Sequence, residues 1–120
     1  MRILFILLIL ITTPSYSYAD GNSFLSKCAT VFDHLPERRL ETGLCIGTIQ
    51  GMRHMNDIYE SKNGSNGVLF CIPEGVSAGQ LIRTVIKYME DNPSKLHEHE
   101  VLLSSYAFVD AYPCTKESDK

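Results

Sequence analysis

The sequence predicts an all-α fold, a small disulfide-stapled bundle of about four helices. Three observations lead there. Apolar side chains recur at helical spacing in four stretches, no stretch of similar length alternates with period two, and four cysteines follow an export-like leader. At 120 residues the chain holds one domain and has no room for two. Its charge content of 21% is ordinary for a globular protein, which argues against disorder and against a fibrous repeat. A formal charge of -3 leaves no surplus of Lys and Arg to neutralise phosphates, so nucleic acid is not the expected partner.

Residues 1–19 read as a secretory signal peptide. Arg2 is followed by the unbroken apolar run Ile3 to Ile11, and Ser17-Tyr18-Ala19 places small residues at the -3 and -1 positions of a cut before Asp20. The run is about half the length a bilayer-spanning helix needs. The folded domain is then expected over residues 20–120, with ten basic and fourteen acidic side chains. An even number of cysteines in a small exported domain reads as disulfides. No two of them have the spacing of a zinc knuckle or a thioredoxin-type motif.

The first helix is expected around Phe24, Cys28, Val31, Phe32 and Leu35, after the caps Asn22 and Ser23, with Pro36 ending the run. A longer amphipathic stripe follows through Leu44, Cys45, Thr48, Ile49, Met52, Met55 and Tyr59. The turn formers Asn63-Gly64 and Asn66-Gly67 mark a loop over Ser61 to Gly67, and Val68 to Ile72 is the one run fit for a strand. The third helix, Ser77 to Asp91, has the clearest pattern: Ala78, Leu81, Ile82, Val85, Ile86 and Met89 share a face, and Ser77 with Gln80 forms a capping box. Asn92-Pro93 ends it, and a fourth helix is expected to start there at once and to run to about Ala111 before Pro113.

That order pairs the cysteines. Helices three and four, joined by almost no loop, form an antiparallel hairpin whose outer ends are flanked by Cys71 and Cys114. Cys28 and Cys45 stand at similar distances either side of Pro36. The expected bridges are therefore Cys28–Cys45 and Cys71–Cys114.

Few residues offer chemistry. In His97-Glu98-His99-Glu100 the two histidines, two apart on a helix, point to nearly opposite faces and cannot hold one ion, so the run reads as a solvated face. His34 and His54 have no partner at diagnostic spacing, and a Cys–His nucleophile needs a thiolate that an exported disulfide protein lacks. No catalytic residue, metal site or cofactor is expected. Asn63-Gly64-Ser65 matches a glycosylation sequon, idle in a host that does not use it. Gly43, Gly47 and Gly51 stand four apart in the second helix, where each costs about 1 kcal/mol relative to Ala. Such a strip serves close packing of another helix, either within the monomer or across a homodimer seam.

Several runs together make a pattern: Cys45-Ile46-Gly47-Thr48-Ile49-Gln50-Gly51, then Phe70-Cys71-Ile72-Pro73-Glu74-Gly75-Val76-Ser77 with Gln80, then Val85, Lys87-Tyr88-Met89, Asn92-Pro93, Leu96-His97 and Tyr112-Pro113-Cys114. In these the chain resembles the Rap/Tai family of type VI secretion immunity proteins, over roughly Cys28 to Cys114. Thr48 stands where that family often has an aromatic residue, and Ser61 to Gly67 is this chain's own. The resemblance implies a mostly helical, disulfide-bonded periplasmic protein that binds and blocks an injected peptidoglycan amidase, typically papain-like, and that in some relatives acts as a homodimer. An inhibitor of a cleft enzyme needs a protruding segment on a rigid body. Ser61, Lys62, Asn63, Gly64, Ser65 and Asn66 are the expected effector-binding segment, and the turn from Asp91 to Lys95 is the second choice. A reading of a different class is a small periplasmic stress protein or holdase, which thermal aggregation assays would separate; an enzyme ranks third.

Overall fold

The computed structural model describes residues 19–33, 36–64 and 67–114. Over these, the chain forms four α-helices: α1 (Gly21–Asp33), α2 (Arg39–Asn63), α3 (Ala78–Asp91) and α4 (Glu100–Ala111). Short 3-10 turns precede α2 (Pro36–Arg38) and follow α3 (Pro93–Lys95). There is no β-strand among the described residues, only an isolated bridge between Asp20 and His99. The all-α bundle is as the periodicity predicts.

The four helices close on one core. Phe24 and Cys28 of α1, Cys45 and Ile49 of α2, Leu81, Ile82, Val85 and Met89 of α3, and Leu103, Ala107 and Phe108 of α4 are all buried. Phe70, from the segment before α3, completes the core with its ring tilted against Phe108 at 5.1 Å. Eleven of these twelve side chains come from the helices, and burial of those faces, rather than helix propensity, holds the elements in place.

Both expected disulfides form. Cys28–Cys45 ties α1 to α2 across 17 residues of sequence, and Cys71–Cys114 ties the approach to α3 to the residue just beyond α4 across 43. In the chain-entropy account such loops stabilise by about 3 and about 4 kcal/mol, on the scale of the whole net stability of a small domain.

Local chemistry departs from expectation at four places. Helix α1 is capped by Asp20, whose carboxylate accepts from Ser23 N–H at 2.8 Å, and not by Asn22 or Ser23. Helix α2 runs through Asn63, so the loop starts at Gly64 and not at Ser61. Val68 to Ile72 has no strand partner; Asn56 Nδ2 donates to Phe70 O and Cys71 N–H to Tyr112 O instead. Helix α4 starts at Glu100, and not next to Pro93. Asn92 turns its side chain back to donate to Tyr88 O, at the end of α3, and caps nothing ahead of it. Ser77 does cap α3, accepting from Gln80 N–H at 3.2 Å.

Candidate functional site

The predicted effector-binding residues divide between helix and loop. Ser61, Lys62 and Asn63 are the exposed last turn of α2, where the Ser61 hydroxyl donates to Ile58 O at 2.8 Å and Asn63 Nδ2 to Tyr59 O at 3.0 Å. Both side chains fold back onto carbonyls of the preceding turn, which already lie within the helix. Gly64 leaves the helix at φ 66° and ψ -170°, a positive-φ conformation suited to glycine. Ser65 and Asn66 lie outside the described residues. The chain returns at Gly67, φ 92°, which passes close to Tyr59: a Cβ there would stand 3.5 Å from its hydroxyl.

Both flanks of this tip are tied to the body. On the helix side Asn56, about two turns before Asn63, bonds to the return segment, and α2 enters the core further back, at Cys45 and Ile49. On the return side, Asn56 and Cys71 make the backbone bonds given above, the Cys71–Cys114 bridge follows, and Arg53 Nη1 donates to Val76 O at 2.6 Å.

Beside the tip is a feature that sequence reasoning missed. Met52, Met55 and Tyr59 of α2, Leu69 and Phe70 of the return segment, and Val101 of α4 line a groove of about 380 Å³. None of its ten lining residues is charged. Leu69 is 67% and Met55 66% exposed, so the groove opens to water with apolar walls. Contiguous exposed apolar surface of this kind marks interaction sites. The only sequence signal was the alternation Leu69 out, Phe70 in, because Met55 and Tyr59 read as members of a buried stripe.

Gly43, Gly47 and Gly51 are exposed, and a Cβ added at any of them meets nothing within 4 Å among the described residues. The expectation of close packing within the monomer is therefore corrected: no described element approaches this strip, because α2 buries the face of Cys45 and Ile49 instead. Leu40 and Leu44 lie exposed beside the glycines.

The His97–Glu100 run is also not a uniform solvated face. His99 caps α4, its Nδ1 accepting from Val101 N–H at 3.2 Å. Glu100 is buried and takes Lys27 Nζ on both carboxylate oxygens, at 2.7 and 2.6 Å. Elsewhere the Asp20 carboxyl is held below its ordinary pKa, chiefly by Ser23 N–H, and the Lys87 ammonium above its own by Asp91. No group of three His, Cys, Asp or Glu side chains suited to a metal ion occurs among the described residues.

A family model described as Rap1a immunity proteins matches residues 20–114. No curated protein and no solved structure matches the chain.

Proposed function

This chain belongs to the Rap1a immunity protein family, and from that premise we propose that it works in the periplasm as a non-enzymatic inhibitor of a peptidoglycan amidase delivered by type VI secretion, protecting the cell from self or sibling intoxication. The partner fitting this reading is a papain-like cysteine amidase, whose active-site cleft accepts a protruding segment. Two disulfides and no free cysteine suit an oxidising compartment. No described helix is long and apolar enough to cross a membrane.

The observation that carries the reading, beyond family membership, is the juxtaposition of the polar last turn of α2, Ser61 to Asn63, and an uncharged apolar groove on a disulfide-braced body. The tip, Ser61 to Asn66, enters the effector's cleft, and the groove takes apolar side chains beside that cleft. Bracing on both flanks reduces the ordering cost of binding. The exposed face of α2 carrying Leu40, Gly43, Leu44, Gly47 and Gly51 would lie against a second copy if the protein acts as a homodimer.

The test is affinity for the cognate amidase. Leu69→Asp places a charge on the groove wall without touching the core, since that side chain is mostly exposed. A central apolar contact of this kind is expected to change binding by about 2 kcal/mol, roughly thirtyfold. Alanines at positions 63–66 are expected to weaken binding and inhibition together. Unchanged affinity in both variants would refute this placement of the effector face. General suppression of aggregation of unrelated proteins, with no amidase bound, would favour a holdase instead.

A further inference from the structure

Residues 19–21 lie antiparallel to residues 98–100 and clamp the start of α1 to the start of α4. Glu100 N–H donates to Ala19 O at 2.8 Å, Gly21 N–H donates to Glu98 O at 3.1 Å, and Asp20 faces His99. The register of this clamp is set by Gly21, which is buried so tightly that a Cβ there would stand 2.7 Å from Leu103 Cδ1 and 3.1 Å from Leu96 Cα.

Glu100 is the first residue of α4, so its N–H is among those a helix leaves without an internal acceptor. With Ala19 against it the residue is 5% exposed, and a donor buried in that way needs a partner. Ala19 O is that partner. A cut between Ala19 and Asp20 would remove the acceptor and create an ammonium in its place. Standard bond lengths put that new nitrogen within about 5 Å of Glu100 N, at the positive end of the α4 dipole, where a cation is disfavoured. Both effects act against a chain that begins at Asp20.

The leader offers a second cut with small residues at the required positions. Ser15-Tyr16-Ser17 satisfies them as Ser17-Tyr18-Ala19 does, two residues earlier. We propose that the export signal is cleaved after Ser17, so that Tyr18-Ala19 stays on the mature protein and the Ala19 carbonyl serves as the permanent acceptor for the first N–H of α4. This rests on the export reading above, and it moves the domain boundary to residue 18.

The experiment is the intact mass of the full chain after export in a Gram-negative host, with two variants. The wild type is expected to yield a mature chain beginning at Tyr18, heavier by a tyrosine and an alanine residue than one beginning at Asp20. Ala19→Leu, which spoils a cut after Ala19 but lies beyond one after Ser17, is expected to be processed normally. Ser15→Phe, which spoils only the earlier cut, is expected to lose the Tyr18 product. A wild-type chain beginning at Asp20, or an Ala19→Leu chain that stays uncut, would overturn the proposal while leaving the export reading intact. An uncut wild-type chain retained in the cytoplasm would overturn both.

Discussion

Substitution of Lys27 by Met tests what holds α1 to the start of α4. Lys27 Nζ sits 2.6 Å from Glu100 Oε2, with the two side chains 16% and 6% exposed. The lysine reaches that position past Phe24, its ammonium 5.9 Å from the ring centroid. Methionine preserves most of the apolar stem but leaves the Glu100 carboxylate in a nearly dry site with no counterion. Removing one partner of a buried pair destabilises by about 3 to 5 kcal/mol, and the lower end applies because Lys27 keeps some contact with water. An internal comparator is available in Lys87–Asp91, also close at 2.8 Å but 76% and 59% exposed. There Lys87→Met should change stability by about 0.5 kcal/mol or less. The double variant Lys27→Met, Glu100→Met removes the stranded charge and should recover most of the loss, to within about 1 kcal/mol of wild type. Urea unfolding at pH 7, with both disulfides intact, of the wild type, Lys27→Met, Glu100→Met and the double variant supplies a complete cycle. A loss below about 1 kcal/mol for Lys27→Met, or a double variant as unstable as the single, would refute the argument that this pair is electrostatically buried.

Three further outcomes follow from local geometry. Gly21→Ala should destabilise by about 1 to 3 kcal/mol because one of its close neighbours is the Leu96 backbone, which cannot rotate away, whereas Gly47→Ala, facing open space in mid-helix, should stabilise by up to about 1 kcal/mol; melting curves compare them, and a loss at Gly47 would mean that the face is covered by a second chain. Limiting thiol reductant should open Cys71–Cys114 before Cys28–Cys45, since the latter pair is fully buried and the former only half-buried; alkylation followed by mass spectrometry gives the order, and simultaneous opening would contradict it. Because the Asp20 carboxyl is held below its ordinary pKa, its contribution to stability is present at neutral pH and is lost as the pH falls below about 4. The stability difference between wild type and Asp20→Asn should therefore shrink over that range, and a difference independent of pH down to 2 would refute the linkage.

What could be read from the sequence was local or followed from order along the chain. Ser77 and Gln80 sit three apart and cap α3 as their spacing requires. The disulfides were legible because helices joined by short links must lie side by side: Cys71 and Cys114 flank the outer ends of one such pair, and Cys28 and Cys45 stand at similar distances either side of the link at Pro36 in the other. The start of α4 was not legible, because Pro93 in the first helical position is a sound local signal that a distant contact overrides. The turn at Leu96 to His99 is shaped by Gly21 packing on Leu96 and by Ala19 and Gly21 bonding to Glu100 and Glu98. No window along the chain holds both sides of that contact.

The groove was hidden for a different reason. Helix α2 has apolar or small residues around most of its circumference, so periodicity identifies a helix without choosing which face is inside. The choice is made by Cys45, which the disulfide pulls against α1, and by Ile49 one turn later. Once that face is buried, Leu40, Leu44, Met55 and Tyr59 must remain in water, together with Leu69 on the neighbouring segment. Their exposure is thus a consequence of where the staple sits. An apolar side chain left outside gains nothing for the monomer's stability, yet this chain places six of them, Ile58 included, along α2 and beside the tip that follows it. In a protein whose family acts by binding, the residues that fit the helical period and still fail to reach the core are the ones to substitute first when the partner-facing surface is sought.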